Sequence, residues 1–450
     1  MYLRESFANN LTLENNALPR GIIDFVMKLQ MNYFYNFFGK LLVLIACFST
    51  TMNAQDAFTE YSGKVTAKES RDGLVFVNLA IQNTNISTVT NTDGEFLLKV
   101  PNANKDATLV VSLLGYEQQQ LELAALPTSK IKIVLTPSVT ELSEVNVMNF
   151  SSAEALVRKV FEDKTINSTD KMILMTAFYR EAVKKRNRNV SLTEAVVNVY
   201  KQPYRLKSKD IISLGKARKS TDYKRLDTVA LKLQGGPFST LYLDVMKYPE
   251  YIFNEDTIRF YDFEFEPPTS INNKPAYVVR FRQKNEVIGS GYIGTLYIDA
   301  ASLALASATY ALNIVDTKEA SELFVRKKPS NIKVEPLKAE YRVDYRERNG
   351  KWYYGYGSVQ VSFKISRKRQ WFNSIYTLSS EMAVTDWQVN DSGFMAMPKD
   401  RLKPTVIISD AVSGFSDPDF WGPYNVIEPE KSIESAIDKI KRKIRRANRK

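Results

Sequence analysis

The 450-residue chain contains no histidine and only one cysteine, Cys47. Without histidine it cannot form a Ser-His-Asp triad or a Cys-His pair, and it lacks the usual acid/base group and the usual zinc ligands. With one cysteine it cannot form an internal disulfide, so its fold holds without one even in an oxidising compartment. After residue 54 no apolar run approaches about 18 residues, which predicts no transmembrane helix in that part.

Positive charge exceeds negative charge, but the excess is concentrated at one end. The formal net charge is +12, and residues 431–450, with nine Lys or Arg and two Asp or Glu, contribute +7 of it. The rest of the chain is nearly balanced, so the basic pI does not argue for nucleic acid as a partner. With 44% hydrophobic residues, the chain can form two or three domains with substantial cores.

A short apolar run, Leu41–Met52, follows Lys40 and precedes Asn53 and Ala54. The run is too short to span a bilayer and has the flanks of a secretory signal peptide. We therefore expect residues 1–54 to comprise an upstream extension and a signal peptide. Cleavage is expected after Ala54, with export to the cell envelope.

Two alternatives are open for this amino-terminal segment. The sequence Leu44–Cys47 also fits a lipobox, whose cysteine would be lipidated after cleavage. Residues 1–30 make a poor start for a signal peptide, which favours initiation at Met27 or Met31. A genuine amino-terminal extension with a membrane anchor is the other interpretation.

Short alternating strands, separated by Asp-Gly and Gly-Tyr turn signals, occupy residues 61–147. This spacing is typical of a small antiparallel β-sandwich. The order of the motifs resembles the carboxypeptidase-regulatory-like domain, a prealbumin-type sandwich common on envelope proteins of Gram-negative bacteria. The resemblance implies an accessory module without chemistry of its own. The motifs are Gly63-Lys64-Val65, Asp72-Gly73-Leu74-Val75-Phe76-Val77-Asn78, Thr92-Asp93-Gly94-Glu95-Phe96, Gly115-Tyr116 and Glu141-Leu142-Ser143-Glu144-Val145.

Beyond the sandwich, which we assign to residues 55–150, strand patterns recur through residues 151–430. Ser152-Ala153-Glu154 opens a helix that is expected to run to about Asp163 and to pack on this second domain. The Asn349-Gly350 pair is the strongest hairpin signal in the chain. Further helices are predicted at 238–248 and 317–327, and strands at 172–184, 190–200, 277–282, 292–299, 304–314, 341–345, 351–363 and 376–385.

The segment Tyr297–Leu305 indicates a strand, a turn of small residues and a returning strand. It resembles the strand–turn–strand unit of lipoprotein-carrier-like (LolA-like) half-barrels, in which a curved antiparallel sheet wraps helices and leaves an apolar hollow. We therefore predict a mainly β protein. A prealbumin-like sandwich is followed by a larger curved-sheet domain with a few helices, and then by a carboxy-terminal helix.

Four motifs of the second part are distinctive: Ala177-Phe178-Tyr179-Arg180-Glu181, Leu233-Gln234-Gly235-Gly236-Pro237, Tyr345-Arg346-Glu347-Arg348-Asn349-Gly350-Lys351-Trp352 and Asp417-Pro418-Asp419-Phe420-Trp421-Gly422. Through them the arrangement as a whole also resembles a family of Gram-negative envelope proteins that is known by its carboxypeptidase-regulatory-like domain and has no established activity. The resemblance implies a compartment but no reaction.

Asp262, Glu264 and Glu266 alternate with two phenylalanines, which places the three carboxylates on one face of a strand. We expect this strand to end at Pro267-Pro268. Carboxylates in such a row could bind Ca²⁺ or act on a glycosidic bond. A solvated face over a buried aromatic face is the simpler explanation, and the sequence identifies no second acid group. We therefore assign no catalytic, cofactor-binding or metal-binding residue.

Three other motifs are expected to be structural. Arg180 and Glu181 are adjacent on a strand and point to opposite faces, which favours inter-strand ion pairs over a shared pocket. Gly235-Gly236-Pro237 lacks the Gly-Lys-Ser/Thr ending of a phosphate loop and is expected to form a turn that leads into a helix. An aromatic segment is expected to lie across a sheet and bury its rings, and its aromatic residues are Phe415, Phe420, Trp421 and Tyr424.

Residues 431–450 carry a strong amphipathic pattern and are predicted to form a basic helix. Pro429 stands where such a helix would begin, and the apolar residues Ile433, Ile437, Ile440, Ile444 and Ala447 recur at helical spacing. The apolar stripe could pack on the sheet, or the helix could lie on an anionic membrane or an acidic partner. The candidate contact residues are Lys439, Lys441, Arg442, Lys443, Arg445 and Arg446.

These features predict an exported, non-catalytic envelope protein, in the periplasm or associated with the outer membrane. The sandwich would act as an interaction module, and the large domain would hold a lipid or another apolar ligand. No cofactor and no nucleic acid are expected. Two alternatives are a scaffold subunit of an outer-membrane assembly, bound to outer-membrane proteins, and a carboxylate-dependent hydrolase of envelope glycan.

Overall fold

The computed structural model describes residues 58–138, 150–186, 188–221, 233–326, 328–367, 373–393, 395–412 and 418–430. Several predicted features lie outside the described residues: the signal peptide, the Glu141–Val145 motif, Phe415, and the basic tail with Lys439, Lys441, Arg442, Lys443, Arg445 and Arg446. The described chain is mainly β, as the sequence predicts.

The amino-terminal part is a seven-stranded β-sandwich. Its strands are β1 (Phe58–Ala67), β2 (Asn78–Ile81), β3 (Ser87–Val89), β4 (Glu95–Pro101), β5 (Thr108–Ser112), β6 (Gln119–Glu122) and β7 (Ile131–Leu135). One sheet has the order β4-β1-β7 and the other β3-β2-β5-β6. The β1–β7 pair is parallel, whereas β1 and β4 are antiparallel. The buried side chains Val65, Leu79, Phe96 and Leu109 belong to a core of its own between the sheets.

The second part is built on one ten-stranded antiparallel sheet. Its strands are β8 (Ile173–Lys185), β9 (Arg188–Lys201), β10 (Ile211–Thr221), β11 (Tyr261–Ile271), β12 (Lys274–Gln283), β13 (Tyr292–Asp299), β14 (Leu305–Leu312), β15 (Ile332–Arg348), β16 (Lys351–Arg367) and β17 (Ser374–Val389). Their order in the sheet is β10-β9-β8-β17-β16-β15-β14-β13-β12-β11. Strands β11 to β17 thus form one meander and β8 pairs with the last of them, which leaves β10 and β11 as edges. A sheet of this width twists strongly.

Helices cover one face of this sheet, the inner face, which carries Tyr179, Phe281 and Tyr310. The helices are α1 (Ala153–Glu162), α2 (Lys164–Asn167), α3 (Pro237–Leu241), α4 (Thr317–Phe324) and α5 (Ile408–Ala411). Helix α1 packs on the second domain, as predicted, because its buried Leu156 belongs to the same core. The Ser152 hydroxyl accepts a hydrogen bond from the Ala155 amide at 3.1 Å and so caps the start of α1.

The opposite, outer face carries Arg180, Arg280 and Arg342, and the sandwich packs against it together with residues 418–430, here called the strap. The core of this interface contains the buried side chains Val89, Phe178, Val196, Tyr356, Ala383, Trp421, Val426 and Ile427. Asn425 ties the strap to β4, because its amide accepts from the Lys99 amide at 2.6 Å and donates to the Lys99 carbonyl at 3.1 Å. The strap buries Trp421, as the sequence predicts, and partly buries Phe420, but the prediction was wrong for Tyr424, which is 37% exposed.

Several local predictions differ from the structure. Strand β11 continues past Pro267-Pro268, because it is an edge strand and its ladder shifts register between Glu266 and Thr269. The helix predicted at 238–248 ends at Leu241, after which Asp244 is drawn into a buried ion cluster. The helix predicted at 317–327 ends at Phe324, and the strand predicted at 341–345 is the longer β15. Strand β10 was not predicted.

Candidate functional site

A groove of about 750 Å³ lies on the outer face of the sheet. It crosses six neighbouring strands, β11 to β16, and its lining follows the register of the ladder. Arg282 stands opposite both Asp262 on β11 and Ile293 on β13. Further along, Arg342 on β15 stands opposite Ser358 on β16. Partners opposite each other in a ladder share a face, so these side chains form one continuous surface.

The floor of the groove consists of hydroxyl and aliphatic side chains. Thr295 stands opposite Thr309, and Ile293 stands opposite Ala311, where β13 and β14 pair. Charged side chains flank this floor on β11 and β12 to one side and on β15 to the other. The groove is therefore a trough with hydroxyl and aliphatic groups along its centre and charges along its rims.

The β11–β12 rim carries a shared ion pair. Arg280 contacts Glu264 at 2.5 Å and Glu266 at 3.1 Å. The hydrogen bond from Arg280 lowers the pKa of Glu264, so this carboxylate is ionised near neutral pH. Asp262 and Arg282 are exposed on the same rim, and neither forms an ion pair with another described residue. Both are therefore available to a ligand.

The other rim meets the sandwich at Phe76. The Arg342 guanidinium contacts Asp344 at 2.7 Å and lies over the Phe76 ring, 4.9 Å from its centroid. Burial opposes the positive charge of Arg342, but Asp344 raises its pKa. The Phe76 ring also packs on Tyr356, with 4.8 Å between centroids. Phe76 has a φ of 61°, a left-handed conformation that is uncommon for an aromatic residue.

The predicted carboxylate row is exposed, as expected, and two of its members line the groove. Asp262 and Glu264 line it, whereas Glu266 does not, although Arg280 contacts both glutamates. Within the described ranges no group of three or more Asp, Glu, Cys or His side chains could hold a metal ion. The sequence analysis did not identify the arginines of the groove. Arg280 and Arg282 are two residues apart on β12, and this spacing places both side chains on the same face of the strand.

Arg180 and Glu181 point to opposite faces, as predicted. Arg180 pairs across the sheet with Glu194 at 2.8 Å and donates to the Ile427 carbonyl of the strap at 2.6 Å. Glu194 also contacts Arg218 at 2.7 Å. This network is buried, so it fastens the strap to the sheet and is not open to a ligand.

Glu181 lies on the inner face, where burial raises its pKa to about 7. Tyr179 donates a hydrogen bond to it at 2.9 Å. The carboxyl is 5% exposed and does not line the outer groove. It is therefore a buried titratable group of the core.

The inner face does not show the predicted apolar hollow in the layer between α1 and β15. Rings from the sheet and from the connection before β11 fill this layer, including Tyr179, Phe253 and Trp352. The cavity bordered by Val160, Tyr204 and Trp352 measures about 20 Å³, which is room for about one water molecule. A lipid tail needs a cavity of several hundred Å³ (roughly 300 or more), so this cavity is too small for one.

Comparison with known families identifies the sandwich. Residues 61–147 match the family model described as the CarboxypepD_reg-like domain, which confirms the resemblance seen in the sequence. The match ends before β8. No curated protein matches the chain.

Two solved structures show distant similarity. A DUF1329 family protein from Desulfovibrio piger is 10% identical, with a TM-score of 0.23 over 54% of this chain and 95% of that chain. Lipovitellin is 6% identical, with a TM-score of 0.26, and the aligned part spans 52% of this chain and 27% of lipovitellin. TM-scores this low support no conclusion about function. Among the described residues, no helix has both the length and the hydropathy needed to cross a bilayer.

Proposed function

We propose that this chain is a non-catalytic, exported binding protein that holds an extended, uncharged glycan in the outer groove. The observation that carries the proposal is the lining of the groove. Its floor carries hydroxyl and aliphatic side chains. Three cationic and three anionic side chains surround this floor: Arg280, Arg282, Arg342, Asp262, Glu264 and Glu340. A balanced set of charges favours a ligand without net charge.

The hydrogen-bonding character of these groups selects the ligand class. A guanidinium only donates hydrogen bonds, an ionised carboxylate only accepts them, and the hydroxyls of Thr295 and Thr309 do both. Sugar hydroxyls donate and accept, so one glycan can satisfy all three kinds of group. The sequence led us to expect a lipid, but an acyl chain in this groove would leave Arg282 and Asp262 desolvated and unpaired.

A peptide also carries donors and acceptors, but the groove suits it less. An extended peptide gains most of its affinity by pairing its backbone with a free sheet edge. The groove lies on a sheet face, where the backbone groups of its strands are already paired with neighbouring strands. A glycan, which is recognised through its hydroxyls and ring faces, makes better use of such a surface.

The chemistry of the rims supports binding without cleavage. Glycoside hydrolysis uses one carboxyl group with a raised pKa as the acid. In the groove, Arg280 lowers the pKa of Glu264. Glu181 and Glu381 have raised pKa values, through burial, but neither lines the groove. The hydrolase alternative therefore has less support than binding.

The test is titration of the protein with neutral oligosaccharides of the chito-, cello- and malto- series, followed by calorimetry. Arg282→Ala is expected to weaken binding about tenfold, since hydrogen bonds to a charged group contribute roughly 1.5 kcal/mol or more. The matched control is Arg188→Ala, an exposed arginine that does not line the groove, and it should bind normally.

Two outcomes would contradict the proposal. The first is absence of binding across the whole series, combined with binding of a fluorescent fatty acid, which would restore the apolar-ligand function. The second is saccharide binding that neither Arg282→Ala nor Thr295→Val changes, which would show that the saccharide binds outside the groove.

A further inference from the structure

A short loop projects from the end of β9 with five consecutive exposed residues. Its sequence, residues 205–209, is Arg-Leu-Lys-Ser-Lys, with three cations and no acid. Leu206 is 40% exposed. The two residues that flank the loop, Tyr204 and Asp210, are both buried. The loop is therefore a protruding segment with a fixed base.

A buried ion cluster holds that base in place. Lys201, which is 1% exposed, contacts Asp210 at 2.6 Å and Asp244 at 2.5 Å. The Tyr204 hydroxyl donates to Asp244 at 2.8 Å. Burial opposes the charge of Lys201, but the two aspartates raise its pKa. Both ends of the loop are thus tied to one lysine–aspartate cluster.

A second lysine braces the loop from within. The Lys247 ammonium donates hydrogen bonds to the carbonyls of Pro203 and Leu206, each at 2.7 Å. These contacts use the loop's backbone and leave its side chains free to face solvent. Because the loop is already ordered, it loses less conformational entropy when it binds a partner.

Two tyrosines extend the same surface. Tyr242 and Tyr251 stack, with 5.2 Å between centroids and 8° between ring planes, and Tyr251 is 44% exposed. Tyr248 joins them to the loop, because its ring packs on Tyr242 and its hydroxyl donates to Asp210 at 2.8 Å. Glu250, beside Tyr251, is an exposed acidic residue of this part of the surface, and Glu255 and Asp256 are exposed a few residues further along the chain.

We propose that this surface, formed by residues 205–209 with Tyr242 and Tyr251, docks onto the headgroups of an anionic lipid bilayer. Lys and Arg are attracted to lipid phosphates, and tyrosine rings favour the interface between headgroups and acyl chains. Leu206 is placed among the cations, where an apolar side chain can enter the interface. The proposal is independent of the groove and does not rest on the glycan-binding function.

An acidic protein is the other partner that cations could recognise. The lipid surface fits better because the loop protrudes instead of forming a recess, and because it combines an exposed leucine with amphipathic rings. A bilayer surface is flat, anionic and deformable, so it can accommodate the protruding loop, the exposed leucine and the amphipathic rings together. A protein partner would instead need a matching cavity for the loop.

The test is co-sedimentation of the full chain with phosphatidylcholine vesicles, with and without phosphatidylglycerol. We expect binding to the phosphatidylglycerol vesicles and a decrease as salt rises, since salt screens exposed charges. The double variant Lys207→Glu/Lys209→Glu should weaken this binding by about tenfold or more. Leu206→Ser should weaken it by a smaller factor and should leave the melting temperature unchanged, because residue 206 is exposed.

The matched control reverses two exposed lysines of the sandwich, Lys68→Glu/Lys132→Glu, and has the same net charge as the loop variant. If the two double variants lose equal amounts of vesicle affinity, the net charge of the protein alone determines binding, and the proposal is overturned. Failure of the unaltered protein to bind phosphatidylglycerol vesicles would also overturn it. So would a loop variant that binds vesicles as well as the unaltered protein, and loss of binding to an acidic protein in that variant would identify the other partner.

Discussion

The guanidinium of Arg342, on β15 of the large sheet, lies 4.9 Å from the centroid of the Phe76 ring, on the sandwich. This contact joins the two parts of the protein at the wall of the groove. Since Arg342 also pairs with Asp344, the ring rests on a side chain that is itself fixed. The sandwich therefore contributes a wall of the candidate binding site as well as an interface.

Phe76 provides a test of backbone strain at this wall. Its φ of 61° is unfavourable for any residue with a Cβ and is readily adopted by glycine. We expect Phe76→Gly to be more stable than Phe76→Ala by about 1 kcal/mol, although both variants lose the ring. Urea unfolding of the two variants gives the comparison. The reverse ranking would indicate that residue 76 leaves this conformation once the ring is gone.

The buried carboxylate of Glu194 provides a second test. It is 1% exposed and is shared by Arg180 and Arg218. Glu194→Gln removes the buried charge that Arg180 and Arg218 share, and Arg180 then keeps only Glu381, at 3.3 Å, as an acidic partner on the sheet; this is expected to cost about 3–5 kcal/mol of unfolding free energy. Glu154→Gln breaks the exposed pair with Arg158 and should cost less than about 1 kcal/mol. Similar losses in both variants would contradict the role of the buried network.

The third prediction concerns pH. Burial raises the pKa of Glu181 from 4.5 to about 7, so the folded protein holds this proton more tightly than the unfolded chain. The protonated carboxyl therefore contributes to the free energy of unfolding. This contribution is fully present below the pKa of the unfolded state and is lost as pH rises through about 7, and the loss totals roughly 3 kcal/mol.

Glu181→Gln removes this titration, because the amide is neutral at every pH. Relative to the unaltered protein, the variant should gain stability between about pH 5 and about pH 8. Chemical denaturation across this range measures the difference. A difference that stays constant with pH would show that Glu181 does not titrate as described.

The fourth prediction concerns the sandwich as a separate unit. Residues 55–150, expressed alone, are expected to fold cooperatively, because the sandwich has a core that includes Val65, Leu79 and Phe96. Its melting temperature should fall below that of the intact protein, since the hydrogen bonds to Asn425 are lost. A dispersed amide spectrum would confirm folding. A collapsed spectrum would show that the sandwich needs the strap and would contradict the domain boundary.

Several elements were predictable because their signals are local. Asn349 and Gly350 adopt φ values of 51° and 70° at the β15–β16 hairpin, as an Asn-Gly turn demands. Ser152 caps α1, and Pro237 begins α3 after two glycines with positive φ. In each case the residues that specify the geometry are neighbours in sequence.

Other predictions failed because a distant partner decides the outcome. Pro267-Pro268 would end a central strand, but β11 lies at the sheet edge, where missing amide donors face no neighbouring strand. The helix expected through residue 248 stops at Leu241, and Asp244 pairs with Lys201 on a strand 43 residues earlier.

The sequence alone determined the class of this protein: a mainly β chain, a carboxypeptidase-regulatory-like sandwich and no histidine chemistry. The β class and the lack of histidine chemistry follow from composition, turn residues and strand periodicity, which act over a few residues, whereas the sandwich family follows from the resemblance of its motifs. Only the tertiary structure decided where the charges meet. Arg282 and Arg342 border one groove because six strands pair in a particular register, and residues 205–209 protrude because Lys201 holds both ends of their loop. Such contacts depend on long-range pairing, which local patterns do not encode.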